Sequence, residues 1–183
     1  MSAGVEARAR LPFRAVNRAG QPGHDPDLQR HHLLPRQLRT GRCFGRLFAA
    51  LDPARLGFDD FRRDGLLLPA EGDAARRLGL PLHRGPHRDY NGLVIERVGQ
   101  VEARWSARRS RHPDAAGEEA LFRLALLQRA LRRRLLNPRG APLRLNTQEP
   151  IGTGVDFAEL DAMAEQLWLG TQIILADSSA FAA

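Results

Sequence analysis

Four of the chain's six histidines fall in two pairs. His31 and His32 are adjacent in QRHHLLPRQL, and His83 and His87 stand four apart in LHRGPHRDYN. Neutral imidazole is the commonest protein ligand for a borderline divalent metal ion. Three imidazoles hold such an ion and leave positions open for water and a phosphate oxygen. A fourth beside them can take a proton from the attacking water. Phosphodiester hydrolysis needs those parts: a base for the water, and a cation for the charge developing on the phosphate and the leaving oxygen. The same four residues have one other use, a closed structural zinc-type site with every histidine a ligand.

The elements must aim these side chains. Residues 29–34 read as a short strand stopped by Pro35. Successive strand residues point to opposite faces, so His31 and His32 reach one site only where the strand bulges or ends. GFDDFRRDGLLLPA holds a turn at Asp64-Gly65 and a second short strand over residues 66–68, ended by Pro69. EGDAARRLG gives one or two helical turns. Pro86 suits the first position of a long helix, where its missing N–H costs nothing. Tyr90, Leu93, Val94, Val98, Val101 and Trp105 share one face of that helix. His83 then precedes the helix, and the Arg84-Gly85 turn has to aim it.

Phe44, Leu47, Phe48 and Leu51 have helical spacing. A further helix is predicted over residues 113–136. Leu121, Leu124, Leu127 or Gln128, Leu131 and Leu135 line one side of it, and Arg129, Arg132, Arg133 and Arg134 crowd the rest. A last helix is predicted over residues 156–169, with a frayed tail beyond. Residues 1–26 show little periodicity and read as an irregular arm. No repeat or low-complexity tract is visible.

All 28 cationic side chains are arginine, and the net charge is +7, which favours a polyanionic partner. Each of those charges is a planar fork suited to phosphate. The single cysteine, Cys43, excludes an internal disulfide framework and a cysteine-rich zinc site. The N-terminal residues carry no apolar core of signal-peptide length, and no window approaches the ~18 apolar residues of a membrane span. The expectation is a protein of the cytoplasm, or one exported by a route that needs no N-terminal signal peptide, with no membrane partner.

QRHHLLPRQL, FDDFRRDGLLLPA and LHRGPHRDYN resemble the AHH branch of the HNH/endonuclease VII nucleases, built on the ββα-metal or His-Me finger. The likeness covers roughly residues 20–105. It implies an α+β, mostly helical fold: a small ββα-metal finger with two short strands, packed with additional α-helices. The chain then divides into an arm over residues 1–26, a nuclease core over 27–110 and a helical C-terminal extension over 111–183. The resemblance implies a metal-dependent endonuclease using one divalent ion, Mg²⁺, Mn²⁺ or Zn²⁺. His31 would be a metal ligand and His32 the general base, with His83 and His87 completing the metal site. Tyr90 matches a tyrosine common in such sequences and serves equally as a core aromatic. Arg30, Arg36, Arg84 and Arg88 flank the histidines and are expected to meet backbone phosphate.

Two positions depart from the family's pattern. Arg30 replaces the alanine before the double histidine. Asp64 stands where such families usually carry an asparagine that braces the loop of the base histidine. An aspartate keeps the acceptor oxygens and loses the donors. On that reading Asp64 still works in catalysis as a brace, and restoring asparagine raises activity about tenfold or less. The competing expectation is a weak or inactive nucleic-acid-binding protein. The substrate is nucleic acid, with DNA favoured over RNA. A bacterial toxin with an immunity-type partner, a phage-defence factor and a repair enzyme would share this site.

Overall fold

A two-stranded sheet and two long helices carry the architecture in the computed structural model, which describes residues 9–40, 43–84, 87–137 and 145. The helix expected over residues 156–169 lies outside the described residues. Strand β1 is Leu28–His32 and strand β2 is Gly65–Pro69. They pair antiparallel, with Arg30 opposite Leu67, His31 opposite Leu66 and His32 opposite Gly65. β2 is buried on nearly its whole length, which fits its run of leucines. The fold is thus α+β and mostly helical, as the sequence implies.

β1 ends two residues earlier than the apolar run suggests. Leu33 N–H donates to the Asp64 carbonyl at 2.7 Å, and Leu34 N–H donates to the Asp64 side chain at 2.9 Å. Asp64 belongs to a helix, so the chain turns away from the ladder to meet it. Leu33 and Leu34 then enter the core and are completely buried. Each such leucine contributes about 1.5–3 kcal/mol by leaving water.

Between the strands run four short helices: α1 (Gln37–Thr40), α2 (Gly45–Ala50), α3 (Pro53–Leu56) and α4 (Phe61–Asp64). The turn expected at Asp64-Gly65 is instead the end of α4. Asp60 caps that helix, its side chain accepting from Arg62 N–H at 3.1 Å. Asp64, four residues on, points inward and is fully buried. Gly65 follows because no larger residue fits: a Cβ there would run into the Phe61 ring.

After β2, α5 (Gly72–Leu78) closes on Gly79 in the left-handed conformation, φ +63°. The long helices α6 (Arg88–Arg108) and α7 (Pro113–Leu135) follow, joined by a four-residue link and packed together. α6 buries Tyr90, Leu93, Val94, Val98, Val101 and Trp105, the face read from spacing. α7 buries Leu124, Leu127, Leu131 and Leu135, with Gln128 among them. No helix among the described residues is long and apolar enough to cross a membrane.

The described part of the N-terminal arm is pinned to this frame. Phe61 N–H donates to the Leu11 carbonyl at 2.8 Å. The Asn17 amide donates to the Asp25 and Leu28 carbonyls, both at 2.8 Å. A one-turn 3₁₀ segment, Phe13–Ala15, lies between those anchors.

Candidate functional site

His31 and His32 leave β1 on opposite sides and meet different neighbours. His31 is 3% exposed. Its ring lies 5.1 Å from the His83 ring and 5.6 Å from the His87 ring, centre to centre. One ligand atom from each of these three residues lies within 4.8 Å of the others. His32 is outside that group. Its Nδ1 lies 3.0 Å from Asp64 Oδ2, and its ring stacks on Phe13 at 3.8 Å, tilted by only 13°. The strand therefore neither bulges nor folds both rings into one cluster. Alternation separates them, yet they stay close enough for charge on one to affect the other.

β2 and α6 bring the second pair to His31. His83 N–H donates to the Pro69 carbonyl at 2.7 Å, which fastens it to the end of β2. The helix starts at Arg88, later than the expected Pro86, and His87 is its N-cap residue. Pro86 itself lies outside the described residues. Both histidines thus precede the helix, and their convergence owes nothing to helical spacing. His87 has non-helical backbone angles, φ −94° and ψ 59°, and its carbonyl accepts from Asn91 N–H.

Tyr90, one turn into α6, is 1% exposed. Its hydroxyl donates to the Leu33 carbonyl at 2.7 Å, and its ring meets His31 edge-on at 4.9 Å. It is both a core aromatic and a brace for the chain just after the double histidine. Burial pushes its pKa well up, so the hydroxyl keeps the proton it donates.

The three converging imidazoles suit a metal ion chemically. Burial, then the neighbouring His83 and His87, hold His31 well below the usual histidine pKa. Burial and His87 bring His83 down to about 4. Burial lowers His87 as well, against a hydrogen bond to the Leu145 backbone. All three are therefore neutral near pH 7, the state that ligates. His31 Nε2 and His87 Nδ1 are buried polar atoms without a hydrogen-bond partner among the described residues, which an ion would satisfy. His83 Nδ1 faces Gln29 Oε1 at 3.2 Å. Donation to that oxygen leaves Nε2 free to ligate, the outer bond that orients many metal-binding histidines.

Asp64 is the hub of the other half. Besides His32, it accepts from Leu34 N–H at 2.9 Å and from Gln128 Nε2 at 3.0 Å, both on Oδ1. Burial raises its pKa, and the bonds from His32, Gln128 and Leu34 oppose the rise. All three of these partners can donate, so the site asks of residue 64 only acceptors.

The flanking arginines differ in what they do. Arg30 donates to the Phe13 and Val16 carbonyls at 3.1 and 3.2 Å, tying the arm to β1. Arg84 pairs with Glu71 at 3.5 Å on the surface. Arg36 is exposed beside the double histidine's turn, and Arg88 is exposed at the start of α6. Two residues of the site were not found by spacing: Phe13 and Gln128. Phe13 sits in a segment with no pattern to read. Gln128 did leave a signal, a lone amide in the apolar stripe of α7.

Comparison with known proteins places the chain by its sequence. No curated protein and no solved structure matches the chain. The family model that matches over residues 12–131 describes a nuclease family of the HNH/ENDO VII superfamily with a conserved Ala-His-His. That match takes in Phe13 at one end and Gln128 at the other, and here the motif reads Arg30-His31-His32. The chain belongs to this AHH nuclease family.

Proposed function

We propose that the protein is a metal-dependent endonuclease in which His32 is the general base and His31, His83 and His87 hold one divalent ion. The observation that carries this reading is the division of labour at β1. Three neutral imidazoles converge on one side, and a fourth is paired with a buried carboxylate on the other. When bound, the ion would neutralise charge developing on the phosphate and the leaving oxygen.

The remaining chemistry belongs to the side chains. Ionised Asp64 accepts a hydrogen bond from His32 Nδ1–H, which fixes the tautomer with a lone pair on Nε2. His32 Nε2 then takes the proton of the attacking water, and the imidazolium that forms is stabilised by Asp64 across 3.0 Å. Phe13 covers one face of the ring and limits its rotation. Leu34 N–H and Gln128 hold the carboxylate that holds the base.

The closed four-histidine site gains no support, since His32 lies against Asp64 and Phe13 and outside the converging group. The substrate is a nucleic-acid phosphodiester. DNA is our first candidate, and an immunity-type protein is a proposed partner in a toxin setting. Incubation of DNA and RNA with the protein and Mg²⁺, Mn²⁺ or Zn²⁺, against a chelator control, tests the reading. Metal-dependent cleavage of either polymer is expected. Intact substrate under every metal would overturn it.

A further inference from the structure

Where Gln128 holds Asp64, α3, α4 and α7 line an open cleft of about 260 Å³. Arg55, Arg62, Arg63, Arg129 and Arg132 line it, and Gln128 forms part of its wall. Gln128 also bonds Asp64, so the cleft and the His32–Asp64 pair share one buried residue between them.

Three of the guanidiniums here bond to backbone carbonyls, as that of Arg30 does beside the histidines. Arg132 donates to the Arg62 carbonyl at 2.9 Å and lies 3.4 Å from that of Arg63. Arg63 donates to the Arg55 carbonyl at 2.6 Å, and Arg62 donates to the Ala9 carbonyl. Bonds to neutral carbonyls orient a guanidinium and leave its charge in place. Of the five, only Arg55 has a carboxylate partner among the described residues, Glu118. Buried Asp64, behind Gln128, offsets a second charge. Arg129 is exposed at the rim. Oriented, largely uncompensated forks around one open cleft suit the tetrahedral oxygens of a phosphate group.

We propose that this cleft is a second phosphate site, taking a backbone phosphate of the nucleic acid other than the one that is cut. The proposal rests on the nuclease reading for its ligand, and it assigns substrate grip to α7 and α4. Charge alone would also admit free inorganic phosphate, which the experiment separates.

The test uses the full chain with a chelator present, so that binding is read without cleavage. Affinity for a short fluorescent DNA duplex and its RNA counterpart is measured across a salt series for wild type, Arg129→Ala, Arg129→Glu and Arg76→Ala. Arg76 lies on α5 beside Asp73 and serves as a control. Arg129→Ala should reduce the slope of log affinity against log salt by about 1, and Arg129→Glu should weaken binding about tenfold or more. Arg76→Ala should change neither. Unchanged affinity and slope in both Arg129 variants, or a wild type that binds neither duplex, would overturn the proposal. So would a wild type stabilised by inorganic phosphate, with the Arg129→Glu variant unresponsive and nucleic-acid affinity equal in both. Adding metal afterwards reads the nuclease proposal separately. Cleavage with unaltered Arg129 binding sinks the cleft alone, while Arg129-dependent binding without cleavage under any metal sinks the nuclease reading alone.

Discussion

His31 and His32 are the same residue type on consecutive positions of one strand, and they live in opposite electrostatic settings. His31 is buried among two other imidazoles and a tyrosine. His32 is partly open, stacked on Phe13 and bonded to Asp64. The first setting strips protons from its rings and leaves nitrogen lone pairs facing one another. The second fixes a tautomer and waits for a proton. A strand makes this separation at no cost, because its side chains alternate.

The sharpest way to break the comparison is to remove one ring from each side. His32→Ala should lower cleavage by ~10²–10⁴-fold while metal affinity stays near that of wild type, since a base contributes to rate and holds no ion. His87→Ala should instead abolish the rise in melting temperature that metal gives the wild type, because a lost ligand removes that linkage. Calorimetric metal titration beside a cleavage assay reads both. Joint loss of activity and metal binding in His32→Ala would mean that the two neighbours' roles are exchanged.

Asp64→Asn is the next largest. From sequence, a restored asparagine is expected to raise activity modestly. The hydrogen bonds argue for the opposite sign. If the amide oxygen keeps Leu34 and Gln128, the amide nitrogen faces His32 Nδ1 and donates to it. His32 would then carry its proton on Nε2 and lose its basic lone pair. Cleavage should fall about 100-fold, with metal affinity little changed. Equal or faster cleavage by the asparagine variant would dismiss the His32–Asp64 pair as a tautomer lock.

Gln128→Leu sharpens the same half more gently. It deletes one of two bonds to Asp64 Oδ1 without touching His32. Loss of one hydrogen bond to a charged group should cost about 1.5–3 kcal/mol of stability. A fall in kcat of about tenfold, with Gln128→Glu failing to rescue it, would fit a donor that positions the carboxylate. Retention of full kcat in a folded Gln128→Leu protein would reduce Gln128 to packing.

The remaining prediction concerns the imidazole trio and is read on stability alone. His83 titrates near 4 in the folded chain against an ordinary 6.5. Between those values the unfolded chain binds a proton that the native one does not, so stability of the metal-free protein rises with pH across the window and levels above it. His31 and His87 act with the same sign. Asp64 acts with the opposite sign, since burial lets the folded chain keep its proton above 3.8. The melting temperature should therefore drop as pH falls from 6.5 towards 4, and His83→Gln should flatten that drop. A drop of the same size in both proteins would count against a buried, neutral trio.

Residue type and order in the sequence singled out four histidines, three of which the fold brings together, the two strands that carry or flank them, and the buried face of α6. Those features are local: an apolar stripe, a strand stopper and a ligand type each act over a few residues. The sequence also implied the nuclease family, because its motifs are short and contiguous. It did not decide how residue 64 works. RDG reads as a turn, and only the packing of capped α4 under α7 buries Asp64 and surrounds it with donors. Nor could it pair Phe13 with His32 or Gln128 with Asp64, contacts that span 19 and 64 residues. Side chains so far apart in the chain meet only because the core, built from leucines throughout, sets where α7 and the arm come to rest. The periodicity of α7 said that one face is buried; which buried groups that face would meet depended on every element packed beneath it.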